Sequence, residues 1–175
     1  MNSGLLRWCA SGVAALAVMA SVTACGFDAQ TLQPYPQAEG VNFQIGPSTG
    51  TDPVLKVRDL LVVSDKSGNG FLSASMIMTS GTDRLVSVTG EALKPNGSSA
   101  GALTVAKFSP IQITSTKLAQ LVNLPEISVS SASLKAGLTA RLVLSFATAG
   151  NKTLVVPVAD GTSAPFTTVS PSPAG

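Results

Sequence analysis

The chain contains no histidine. This removes the commonest general acid–base of catalysis and the commonest metal ligand together. Cysteine is nearly missing as well, with Cys9 and Cys25 alone. Both lie near the N-terminus, so no disulfide can staple the rest of the chain, which must hold together by its core. Charged residues are only 11% of the sequence, with a net charge of +2. The lysines and arginines are scattered, which leaves neither a nucleic-acid footprint nor a polybasic membrane patch. The nine carboxylates are dispersed too, and their spacing nominates no acid–base pair.

What is present begins with an export signal. Arg7 precedes an apolar stretch, Val13-Ala14-Ala15-Leu16-Ala17-Val18-Met19-Ala20, followed by small residues and then Cys25. The apolar part is shorter than the roughly 20 residues a membrane-spanning helix needs. Val22-Thr23-Ala24-Cys25 reads as a bacterial lipobox. Small side chains at Thr23 and Ala24 admit the peptidase, and only a thiol forms the thioether to diacylglycerol. Cleavage between Ala24 and Cys25 leaves Cys25 as an acylated N-terminus, and two or three acyl chains hold a protein on a membrane where one does not. A plain secretory signal cut near Ala24 is the rival reading. The expected localisation is the cell membrane, lipid-anchored and facing outward. No cofactor is expected beyond the acyl groups on Cys25.

The segments then divide as signal peptide 1–24, lipidated N-terminus and tether 25–40, a β-sandwich domain 41–160, and a Ser/Thr/Pro tail 161–175 expected to be disordered. Roughly 150 residues suffice for one domain with a sizeable core. Abundant Ser, Thr, Gly, Ala and Val favour strands and turns. Short apolar runs separated by turn signals predict strands over 41–45, 54–64, 71–79, 85–93, 103–108, 110–116, 127–133, 139–148 and 153–158. A short helical turn is expected within 117–124. In Arg141-Leu142-Val143-Leu144-Ser145-Phe146 the period of two sets Leu142, Leu144 and Phe146 on one face. The fold class is all-β, a single Ig-like or cupredoxin-like antiparallel sandwich.

Several motifs imitate chemistry and lack a necessary partner. Gly97-Ser98-Ser99-Ala100-Gly101 fits the Gly-x-Ser-x-Gly elbow, but no histidine exists to act as base. It reads as a flexible small-residue loop. Asp65-Lys66-Ser67-Gly68-Asn69-Gly70 opens like a calcium loop, yet Met76 stands where a bidentate glutamate belongs. It reads as a hairpin turn. Asn96-Gly97-Ser98 and Asn151-Lys152-Thr153 match the glycosylation sequon and read as exposed turns. Met76 and Met78 are candidates for a Cu(I) site, since thioethers are soft ligands. They also share a strand face with Leu72 and Ala74, which makes an apolar stripe.

Two segments together resemble a known family. FLSASMIMTSGTDRLVSVTG, from Phe71 to Gly90, is similar to the strand-turn-strand of PCu(A)C-type periplasmic copper chaperones. LKAGLTARLVLSFATAGNKTLVVPV, from Leu134 to Val158, is similar to their C-terminal hairpin. CGFDAQTLQPYPQAEGVN also resembles the front of actinobacterial Lpq-type lipoproteins carrying this domain. The resemblance implies a cupredoxin-like or Ig-like sandwich. In that family histidines and methionines in the middle of the domain hold Cu(I); Leu103 to Ser133 contains neither. No copper ligand carries over, because Met76 and Met78 lie in the preceding strand.

The expected function is non-catalytic: a membrane-anchored binding or scaffold module at the cell envelope. Its partners are the membrane, through the lipid, and an envelope protein or ligand. Degenerate copper handling is the alternative. Cys25→Ser should leave the precursor unprocessed or mislocalised, and mass spectrometry of the membrane fraction checks this. An unmodified mature N-terminus on protein released to the medium overturns the anchor.

Overall fold

The computed structural model describes residues 40–47, 52–123, 127–162 and Phe166. Eleven strands are formed among the described residues: β1 (Val41–Ile45), β2 (Leu55–Ser64), β3 (Asn69–Met78), β4 (Thr82–Leu93), β5 (Ser99–Ala102) and β6 (Thr104–Val105) come first. Then come β7 (Ile111–Thr114), β8 (Ala119–Gln120), β9 (Ser128–Ser130), β10 (Thr139–Phe146) and β11 (Gly150–Asp160). Among the described residues there is no α-helix. The chain is an all-β sandwich, as its composition predicts.

The hydrogen-bonded path runs β5-β4-β10-β11-β2-β3-β9-β6, with β1 added to β2, β7 to β4 and β8 to β3. Both ends of that path meet in the chain, since only Leu103 separates β5 from β6. Strand β11 belongs to both layers. Its first part pairs antiparallel with β10, and Val158, Ala159 and Asp160 pair parallel with Val62, Val63 and Ser64 of β2. Pro157 stands at the changeover, where a missing N–H removes a ladder bond least harmfully.

Strand β2 breaks step at Asp59, whose φ is 56°. Pairing slips there against both neighbours: Val41 faces Leu60 while Phe43 faces Val57, and Arg58 faces Ser75 while Leu61 faces Ser73. This is a β-bulge. It turns Leu55, Val57, Leu60 and Val62 toward the same interior. They meet Leu72, Ala74, Met76 and Met78 of β3 and Ala140, Leu142, Leu144 and Phe146 of β10. Without a disulfide in this domain, these residues carry the stability, at about 1.5–3 kcal/mol for each large side chain fully buried.

The structure shifts several expected boundaries. Residues 97–101, expected as a loop, are half strand: Ser99–Ala102 pairs with β4 as its edge neighbour. A single strand over 103–108 is reduced to Thr104–Val105, and the helical turn within 117–124 to a 3-10 turn at Leu121–Asn123. Asn151 lies in β11 rather than in a turn, because β11 begins already at Gly150. Of the tail expected over 161–175, Gly161, Thr162 and Phe166 are described, and the rest lies outside the described residues.

Backbone demands explain two further positions. Gly90 lies where a Cβ would come 2.4 Å from the Arg141 carbonyl oxygen, so only glycine lets β10 approach β4 this closely. Asp83 is 3% exposed and accepts the N–H of Arg84 at 2.7 Å, of Thr148 at 2.9 Å and of Ala149 at 2.9 Å. One carboxylate thereby ties β4 to the turn between β10 and β11. Asp83→Ala strands those donors and should cost about 2–3 kcal/mol, given the penalty for unsatisfied part-buried groups. Urea unfolding checks it, with an unchanged m-value expected.

Candidate functional site

Cys25 and Ala24, the proposed lipidation and cleavage positions, lie outside the described residues. Met76 and Met78 are in the core, 0% and 7% exposed, on the inward stripe of β3 with Leu72 and Ala74. Both face the opposite layer, away from any surface ion. Among the described residues no three His, Cys, Asp or Glu side chains gather closely enough to hold a metal.

The remaining look-alike motifs are occupied in turn geometry. In the β2–β3 hairpin, Asp65 Oδ1 accepts the N–H of Ser67 at 2.8 Å and of Asn69 at 2.9 Å. Oδ1 is committed to the loop's own backbone, the normal work of an aspartate in a tight turn, and Oδ2 accepts from the Asn69 side-chain amide at 3.3 Å. Partial burial pulls this carboxyl upward, but the N–H groups of Asn69, Ser67 and Gly68 outweigh it and hold it below the ordinary value. At 94–98, Gly97 takes a φ of 79° and donates to the Lys94 carbonyl at 2.8 Å. The Ser98 hydroxyl donates to Asn96 Oδ1 at 2.7 Å. Ser99 is exposed on β5 and donates to Glu91, which also pairs with Arg141. Glu91 is lowered first by the Ser99 hydroxyl, with burial opposing and Arg141 lowering it further. The carboxylate that accepts from this serine is held below its ordinary value and is paired with a guanidinium, so it is a poor base for activating the hydroxyl.

One cavity does have the character of a binding site. A cleft of about 370 Å³ opens between β7 and β8, with walls from Pro110, Ile111, Leu118 and Ala119 and a rim of Gln112, Thr114 and Lys117. That volume lies at the small end of the range for ligand pockets. Thr114 Oγ1 accepts the Lys117 N–H at 3.2 Å, which turns the chain so that Leu118 projects 43% exposed. Val122 is 39% exposed just beyond. No sequence motif marks this site. Its one signal is the pair Lys117-Leu118, which breaks the alternation after Ile111 and Ile113.

No protein-family model matches this chain, and comparison with curated proteins finds no match either. Among solved structures, the chain is similar to the apo PCuAC domain from PmoF1, at 16% identity and a TM-score of 0.49, covering 69% of this chain and 99% of that one. The copper-bound PCuAC domain from PmoF2 is similar at 14% identity and 0.49, covering 69% and 98%. The apo PmoF2 PCuAC domain gives 14% and 0.45, covering 62% and 92%. The fold class rests on the strand topology above.

The lowered Asp65 carboxyl makes a pH prediction. The folded state binds its proton more weakly than the unfolded chain, so the turn's contribution is complete above the ordinary pKa, near 4, and is lost as pH falls through the lowered folded value. Denaturation midpoints of the native chain and Asp65→Ala should therefore differ at pH 5 and converge as pH falls below about 4.

Proposed function

We propose that this chain is an envelope lipoprotein of the actinobacterial Lpq type, anchored through acylated Cys25 to the outer face of the cytoplasmic membrane. Residues 25–40 act as the tether, and the sandwich is a non-catalytic binding module. The cleft between β7 and β8 carries this reading. It is apolar inside, rimmed by Gln112, Thr114 and Lys117, and continues onto exposed Leu118. Such a seat accepts an apolar side chain of a partner protein or the apolar part of an envelope ligand, with the rim bonding its polar flank. Nucleic acid is not a partner in this reading.

An enzyme would need a general base or paired acids in a pocket. Asp83 spends its oxygens on backbone N–H groups, Asp65 on backbone N–H groups and the Asn69 amide, and Glu91 is engaged by Ser99 and Arg141. Copper handling would need Met76 and Met78 to leave the core.

Two measurements on the full chain decide between these readings. A photo-crosslinking residue in place of Leu118 should give a discrete adduct in cells, absent when the same residue replaces Thr89 on the outer face of β4. Identical adducts at both positions, or none at 118, overturn the cleft as the binding seat. Titration with Cu(I) under reducing conditions should give no tight complex. A one-to-one complex lost in the Met76→Leu, Met78→Leu double variant would replace the binding-module reading with metal handling.

A further inference from the structure

Two cavities meet at the turn that begins with Lys94 and Pro95. One, of about 260 Å³, is walled on its far side by Ser133 and Lys135. The other, of about 390 Å³, reaches Arg141 and Val155. Leu93, Lys94, Pro95 and Leu138 belong to both, so the two form one continuous groove. Its floor is apolar, since Leu93 is buried and Leu138 half-buried. Every charged side chain on its walls is a cation: Lys94, Lys135 and Arg141. These three are scattered in the sequence, and the fold brings them to one place.

Both walls are held by hydrogen bonds. The Lys94 N–H donates to the Ser98 carbonyl at 2.9 Å and closes the β4–β5 hairpin. Across the groove, the Leu138 N–H donates to the Lys135 carbonyl at 3.2 Å, and the Gly137 N–H to the Val158 carbonyl at 2.8 Å. Ser133 Oγ donates to the Ala100 carbonyl at 2.9 Å, which ties the loop over 131–138 to β5. Lys94 and Lys135 have no ion-pair partner among the described residues. Arg141 is shared with Glu91, which pairs with it from β4 and does not line the groove. On its other side Arg141 faces Val155, an outward valine 48% exposed. Like charges gathered in a concave site with apolar walls focus their field and concentrate anions there.

We propose that this groove seats one molecule of an amphiphilic phosphate monoester, with Lys94 and Lys135 on the phosphate and Leu138 and Val155 along its apolar part. A single carboxylate is served by one guanidinium, as Glu91 is by Arg141. Two further ammonium groups match an anion with more charge and more acceptor oxygens, which a phosphate monoester supplies. Inorganic phosphate would leave the apolar floor and Val155 uncovered, whereas an ester with a hydrocarbon part covers them. The concave shape admits a single molecule between the two turns, which a flat bilayer face does not enter. This groove is separate from the cleft between β7 and β8, and it does not depend on the lipid anchor.

The test uses the full chain and dihexanoyl phosphatidate held below its micelle concentration. Saturable shifts of the Lys94, Lys135 and Leu138 amide NMR signals are expected, with an affinity about tenfold above that for inorganic phosphate. The double variant Lys94→Gln, Lys135→Gln should weaken binding by about tenfold or more at an unchanged urea midpoint. Val155→Ser should weaken it several-fold, and Leu118→Ser, in the other cleft, should leave it unchanged. Added salt should weaken binding, because both lysines are exposed and screened. No saturable shift, or native affinity in the double lysine variant, overturns the proposal. Equal affinity for inorganic phosphate overturns the amphiphile. Binding only to vesicles of anionic phospholipid overturns the single-molecule seat and assigns this face to the membrane surface. Shifts centred on Leu118 overturn the groove in favour of the cleft.

Discussion

Strand β2 joins β1, β3 and β11, and it does so because its backbone breaks step at Asp59. A strict period of two from Leu55 and Val57 would send Leu60 and Val62 outward. The extra residue reverses this, so the first half of β2 and its second half both feed the core. A left-handed conformation costs an L-residue about 1–2 kcal/mol, and short polar side chains offset it by local hydrogen bonds. At Asp59 the bonds are long-range instead: its Oδ1 accepts the Gly40 N–H at 2.8 Å, and its backbone N–H donates to Asn42 Oδ1 at 2.8 Å. Gly40 must be glycine, since a Cβ there would lie 2.4 Å from the Asp59 carbonyl carbon. The start of the domain is thus clasped at the bulge, and Leu61 and Val63 join Phe71 in a separate outer cluster because of it.

Carboxylates elsewhere repeat that role. Asp65 organises the β2–β3 hairpin, Asp83 fixes the β10–β11 turn to β4, and Asp160 directs the chain off β11. A chain with few charges has assigned most of its described acids to backbone N–H groups. The physical reason is that a domain with no disulfide and many turns gains most by satisfying the donors those turns strand. The same economy explains why each catalytic or calcium look-alike turned into a piece of scaffolding once its geometry was visible.

Legibility in the sequence follows the range of the interactions. The inward face of β10 was readable from Arg141 to Phe146, because alternation is local and both layers respect it. The apolar stripe of Leu72, Ala74, Met76 and Met78 was readable for the same reason. Strand β5 was not: Ser99-Ala100-Gly101-Ala102 has no apolar alternation, and it is a strand because β4 offers an unpaired edge. The bulge at Asp59 was equally invisible, since Leu60-Leu61-Val62-Val63 is apolar at every position and fits either register. The cleft beside Leu118 arises where β7 and β8 pass between the layers, and no motif encodes such a crossing.

The sequence alone determined the all-β class, the absence of histidine chemistry and of a domain disulfide, and the expectation placed on Cys25. These depend on residue identity and on contacts between near neighbours. Tertiary structure alone decided which side of β2 each apolar residue faces, where the cleft opens, and that Lys94, Lys135 and Arg141 line one groove. Each of those is a contact between residues distant along the chain, fixed by which strand edges remain free when the core closes.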